Sequence, residues 1–240
     1  MSTSIELLAI GSAALPRRAY PSVVDRDCTT AIRSEDRIAE LVNSITHGVG
    51  AVLSAAGLYA LVQIAGSSGV FQHALGCVVY GVSLVLLYTA STVYHGCRHA
   101  GLKRVLLLLD HIGIYLLIAG TYTPLALIPM HGRLGLTLLA LVWALALAGS
   151  LAKISRIDRL DEDSPWSYLV LSGIALATAD KIAVNVPPGV FQWLLAGGIF
   201  YTMGVPFFLQ RDRRFNHAIW HLFVLAGSIC HYRAVLGFAG

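Results

Sequence analysis

Seven apolar stretches, each long enough to cross a bilayer as a helix, set the first limit on what this chain can fold into. A hydrocarbon core of about 30 Å takes roughly 20 apolar residues in a helix. Runs of that kind lie near residues 39–64, 72–94, 105–128, 134–151, 166–184, 190–209 and 216–238. Pro187-Pro188-Gly189 separates the fifth from the sixth. Ser34 suits an N-cap for the first, with Glu35 and Asp36 in its opening turn. Short connections make sequence neighbours antiparallel and adjacent. The expectation is one all-α transmembrane domain, a seven-helix bundle over residues 38–240. Residues 1–37 form a cytoplasmic tail expected to be flexible or to lie on the surface, with an apolar piece from Leu7 to Ala14 ahead of Pro16 and Pro21.

Composition agrees with a lipid-facing surface. Charged residues make up 12% of the chain, against about 25% in soluble domains, and mean hydropathy is +0.70. The net charge of +4 does not mark a nucleic-acid binder, because the basic residues sit in short clusters between apolar runs. Four cysteines form no CxxC pair and read as isolated thiols. The first 37 residues lack an apolar core followed by a small-residue cleavage site, so no secretory leader is expected.

Basic residues also fix the direction of the bundle. The tail carries Arg17, Arg18, Arg26, Arg33 and Arg37. The loop after the second span carries Arg98, Lys103 and Arg104. After the fourth come Lys153, Arg156 and Arg159, and after the sixth Arg211, Arg213 and Arg214. All these segments share one side. The opposite side holds only Arg133, Lys181 and Arg233 of the 17 Lys and Arg. The N-terminus is therefore cytoplasmic, and seven crossings leave the C-terminus outside, in a multi-pass protein of the cell membrane.

Ionisable groups within spans are costly and usually mark function or a paired structural site. Glu40, Asn43 and His47 share one face of the first span. His95 ends the second span, with Ser91 one turn earlier. Asp110 and His111 lie a turn into the third, and His217 and His221 open the seventh. With the orientation above, all of them fall at one depth near the cytoplasmic face.

Histidines at i and i+4 project from one helix face about 6 Å apart, which suits one ion. His95 supplies a third nitrogen, and three protein nitrogens with one open position are the arrangement of catalytic zinc. Asp110 suits a general base or an orienting group for a water there, and Ser91 could bond that water or a substrate carbonyl. An HxxxH pair alone is a weak signal, since interfacial histidines often just bond backbone carbonyls. Glu40, Asn43 and His47 read as a structural hydrogen-bond network rather than a second metal site. His111 reads as a packing residue, and His73, His99, His131 and His231 as interfacial residues. Asp180 and Lys181 read as an interfacial pair ahead of a cavity feature. Gly120, Gly197 and Gly198 are expected to allow close helix packing, and Pro124 and Pro206 to bend their helices. With the polar residues at one end, no polar stripe crosses the whole bilayer, which argues against a channel.

Four motifs in order resemble the haemolysin III and progestin and adipoQ receptor (PAQR) proteins. They are Glu40-Leu-Val-Asn43-Ser-Ile-Thr-His47-Gly48, Ser91-Thr-Val-Tyr-His95, Asp110-His111 with Ile114 to Pro124, and Asn216-His217-Ala218-Ile219-Trp220-His221. The similarity runs from about Glu40 to Leu236. It implies a seven-helix bundle with zinc held by His95, His217 and His221 near the cytoplasmic face. Asp110 would act through water, Ser91 would stand beside it, and no organic cofactor is expected. The wider superfamily includes alkaline ceramidases, so the resemblance implies a zinc-dependent lipid amide hydrolase or a membrane-lipid homeostasis protein. Membrane lipids are the expected partners, with a substrate entering from the bilayer and no nucleic acid. The alternatives are a receptor-like membrane sensor with structural zinc, and a pore-forming haemolysin with cytolytic activity.

Overall fold

The computed structural model describes residues 34–162, 165–210 and 213–239. The expectations for residues 1–33 lie outside it, as do the side chains of Ser34, Glu35 and Asp36. The described residues form helices α1 (Ser34–Ser67), α2 (Phe71–Gly96), α3 (Ala100–Leu127), α4 (Gly132–Ser155), α5 (Trp166–Ala177), α6 (Ala179–Asn185), α7 (Pro188–Leu209) and α8 (Asn216–Ala239). A short 3-10 turn, Ile157–Glu162, follows α4. No strand occurs among the described residues.

Six of these helices are long and apolar enough to cross a membrane, and α5 with α6 passes the same test as a bent pair. The chain is an all-α, multi-pass membrane bundle. Helix α1 has 34 residues, about 51 Å at 1.5 Å per residue. That exceeds the bilayer core, so α1 tilts or projects beyond it.

The fifth span, expected as one helix, is two helices meeting at 55°. The break falls at Thr178 (φ −117°, ψ 12°). Its hydroxyl donates to the Ile174 carbonyl at 2.9 Å. Such back-bonding competes with the helical ladder and bends it. The pair still crosses. Tyr115 bonds Ser167 at 2.8 Å, and Tyr122, seven residues further along α3, donates to the Ser172 carbonyl at 2.9 Å. Helix α5 therefore climbs α3 in the same direction. Val190, just past α6, meets Gly237 near the far end of α8.

Sequence neighbours pack against each other, and α1 against α8 closes the ring. One apolar core joins α3, α4, α5 and α6 around Tyr115, Val142 and Ile182. The other joins α1, α2 and α8 around Leu61, Tyr80 and Val235. Gly120 sits against Ser83, and Gly197 lies under the His231 ring, where a Cβ would collide. Gly198 departs from the expected role: a Cβ there would meet nothing within 4 Å, because it faces the cavity described below. Pro124 and Pro206 lie inside α3 and α7.

Candidate metal centre

Helix α2 delivers His95 from its last turn, and α8 delivers His217 and His221 from its first two. The antiparallel packing of α2 beside α1, and the parallel packing of α1 beside α8, bring these ends to one place. The three rings have centroids 5.0, 5.0 and 4.5 Å apart. One nitrogen from each lies within 4.8 Å of the others, so a single metal ion could be bound by all three. His95 and His221 are buried. His95 Nε2 is buried without a hydrogen-bond partner. An orphaned imidazole nitrogen in a membrane interior is costly unless an ion or polar group meets it, so this donor set fits a metal.

The first-helix residues surround these rings. Glu40 Oε2 lies 3.3 Å from His95 Nδ1 and 2.8 Å from Lys103 Nζ. The Lys103 ammonium also donates to the Tyr94 carbonyl at 3.0 Å. His47 stacks on His221, with centroids 3.5 Å apart and planes 17° apart, and meets Tyr88 edge-on. Thr46 Oγ1 is 3.3 Å from His221 Nδ1. Asn43 Oδ1 is buried with no hydrogen-bond partner, whereas Ser91 stands against Asp110 and His47 against His221. The expected network among Glu40, Asn43 and His47 thus does not close on itself. Glu40 reaches α2 and α3, while His47 and Asn43 turn toward the cavity.

That cavity has a volume of about 1030 Å³ and a mostly apolar lining. One end carries His95, His217, Ser91 and Asp110, and the lining continues past Tyr122 to Leu125, Ile182 and Leu194. Asp110 stands beside Ser91 and near the His95 imidazole. His111, expected to pack against a neighbouring helix, is buried and also lines the cavity.

The remaining histidines divide. His73 and His131 place Nδ1 against the carbonyls of Ala239 and Ile128, and His99 precedes α3. His231 corrects the interfacial expectation. It donates from Nε2 to the Leu194 carbonyl at 3.1 Å and lines the cavity, because its phase on α8 follows that of His217 and His221. Asp180 and Lys181 form an exposed ion pair at 3.0 Å.

Sequence reasoning passed over Thr46 and Lys103, and also a second polar cluster in mid-membrane. Tyr88 and Tyr201 bond Ser228 Oγ at 2.7 and 2.8 Å, and Tyr80 donates to the Ser228 carbonyl at 3.3 Å. Polar groups therefore do not gather at one end alone. Ser228 lies eleven residues beyond His217 on α8, and that helical spacing was the available signal.

A family profile described as haemolysin-III related matches residues 36–232. The chain belongs to the haemolysin III family. It is 44% identical over 197 residues to a protein named Hemolysin-3 from Bacillus cereus, covering 82% of this chain and 90% of that one. A Hemolysin-3 homolog of Bacillus subtilis (strain 168) is 40% identical over 197 residues, covering 82% and 92%. The human Monocyte to macrophage differentiation factor is 30% identical over 163 residues, covering 65% of this chain and 67% of that protein. The family match includes all four motifs and every residue of the candidate centre.

Proposed function

We propose that this haemolysin III protein is a zinc-dependent hydrolase acting on an amide bond of a membrane lipid, at the cytoplasmic end of its bundle. The observation that carries this reading is a cavity of about 1030 Å³ with a mostly apolar lining, at one end of which His95, His217 and His221 share space with the Asp110 carboxyl and the Ser91 hydroxyl. Three neutral nitrogens favour zinc by geometry and availability. Bound there, zinc supplies Lewis-acid polarisation of a carbonyl and lowers the pKa of water toward about 7.

The chain's own residues do the rest. The Asp110 carboxylate takes a proton from the attacking water and passes it to the leaving amine nitrogen. The Ser91 hydroxyl, buried beside Asp110, turns to donate to the scissile carbonyl oxygen and holds it toward the histidines. The apolar walls take up the hydrocarbon chains and exclude bulk water from the reacting atoms. The test is turnover by purified, zinc-loaded protein on a panel of ceramides and other lipid amides. The expected result is release of fatty acid at a rate far above that of the His217→Ala variant. Equal rates would overturn the assignment.

A second reading rests on where the ligands sit. His95 is on α2 and His217 and His221 on α8, so the metal would clasp two helices and serve a non-enzymatic membrane sensor. In that case zinc removal lowers the unfolding temperature while no lipid amide turns over. Two relatives bear the name hemolysin, and a lytic role predicts dye release from liposomes holding the purified protein.

A further inference from the structure

A histidine that binds a metal through one ring nitrogen must dispose of the N–H on the other, and the group receiving that proton decides which nitrogen faces the ion. For His95 the receiver is Glu40, whose Oε2 lies 3.3 Å from Nδ1. An ionised carboxylate only accepts. Nδ1 therefore carries the hydrogen, and the lone pair sits on Nε2, the atom that is buried without a partner.

His221 is settled by a different device on the same helix. Thr46 Oγ1 has one proton to give, and it lies 2.9 Å from the carbonyls of both Val42 and Asn43. With its hydrogen directed at the backbone, the oxygen presents a lone pair to His221 Nδ1 at 3.3 Å. His221 Nδ1 is then also the protonated nitrogen, leaving Nε2 for an ion. His47, stacked at 3.5 Å on the His221 ring, limits rotation of that plane. Glu40 is steadied in turn by Lys103 Nζ at 2.8 Å.

We propose that α1, which carries none of the three ligating histidines, sets the tautomers of His95 and His221 through Glu40 and Thr46, so that both rings present Nε2 to the metal. Glu40 and Thr46 are positioning residues. Such partners typically alter metal affinity 10- to 100-fold. This rests on the metal-site reading and not on any turnover. The competing account of Thr46 is the ordinary one: threonines in helices often bond the carbonyl four residues back, with no consequence for a neighbour.

The experiment uses the full chain in detergent and reads zinc affinity by competition with a chelator. Thr46→Val keeps the shape and removes the acceptor, while Thr46→Ser keeps the hydroxyl. The expected result is about a tenfold loss for Thr46→Val, the low end because the Asn43 carbonyl also faces His221. Thr46→Ser stays near wild type, and Glu40→Ala loses between about 10- and 100-fold. Wild-type affinity in both Thr46→Val and Glu40→Ala would overturn the proposal. A second measurement needs no variant: 15N shifts of labelled histidines in the metal-free protein report the tautomer directly. Nδ1–H at both His95 and His221 supports the proposal, and Nε2–H at either one overturns it. Full zinc occupancy in His95→Ala and His217→Ala would instead remove the metal site itself, a different failure from loss of the tautomer assignment.

Discussion

Helix α8 carries two polar clusters, and they differ in how their hydrogen bonds are met. Midway along it, Ser228 Oγ lies between the hydroxyls of Tyr88 and Tyr201, and its carbonyl accepts from Tyr80. Each hydroxyl there has a partner within the protein. Around its first turns, His95 Nε2 and Asn43 Oδ1 are buried and unmet. A polar group unpaired in a low-dielectric interior costs about 1–3 kcal/mol. A satisfied cluster ties helices together, whereas a cluster that leaves a ring nitrogen and an amide oxygen unmet on one cavity is arranged for something that enters. The two clusters should therefore fail in opposite ways when altered.

The largest effect is expected at Asp110. If it moves protons in a hydrolysis, Asp110→Asn should slow lipid-amide turnover by about 10²- to 10⁴-fold while bound zinc stays near wild type by elemental analysis. Turnover kept within a factor of a few would leave Asp110 with no part in the reaction. Loss of zinc alongside turnover would instead make it part of the metal's binding. Next comes metal retention. His217→Ala removes one of three nitrogens and should weaken zinc binding by more than the roughly 10- to 100-fold typical of outer partners, as read by chelator competition.

Ser228→Ala inverts that pattern. It strips two tyrosine hydroxyls of a partner and should destabilise the fold by about 1–3 kcal/mol, seen as a lower unfolding temperature. Zinc affinity should not change. If Ser228→Ala lowered zinc affinity as far as His217→Ala does, the division into glue and binding site would collapse.

The parts of this structure legible in the sequence are those governed by local rules. The apolar lengths marked all seven crossings, since span length follows from bilayer thickness alone. The family match and the helix ends agree with the motif order, and His95, His217 and His221 fall together because successive crossings put the end of α2 and the start of α8 on one side. Other features needed knowledge of which helices touch. Thr46 looks like an unremarked threonine until α1 lies against α8, and Lys103 looks like a loop charge until it reaches Glu40 across the gap from α3. Ser228 reads as a spacer, because a serine bonded within a helix and one bonded between helices look alike in a sequence. The break at Thr178 turns on whether one hydroxyl competes with the backbone, which apolar length cannot report.

The smallest expected effects come from two adjacent glycines, and they test whether the cavity is a real volume. Both were expected to be packing glycines. A Cβ on Gly197 would overlap the His231 ring, while one on Gly198 would meet nothing within 4 Å. Gly197→Ala should therefore displace a ring whose Nε2 is bonded to Leu194, costing about 1–3 kcal/mol as overpacking usually does. Gly198→Ala only adds a methyl to the cavity wall and improves helix propensity by up to about 1 kcal/mol, so its unfolding temperature should hold or rise slightly. A larger residue sharpens the point. Gly198→Leu should keep the fold and the zinc while reducing uptake of long-chain lipids, because its side chain fills space lined by Leu195 and Thr202. Equal destabilisation by Ala at both positions would mean that α7 packs closely where an open chamber is described, and the apolar half of the proposed site would be lost with it.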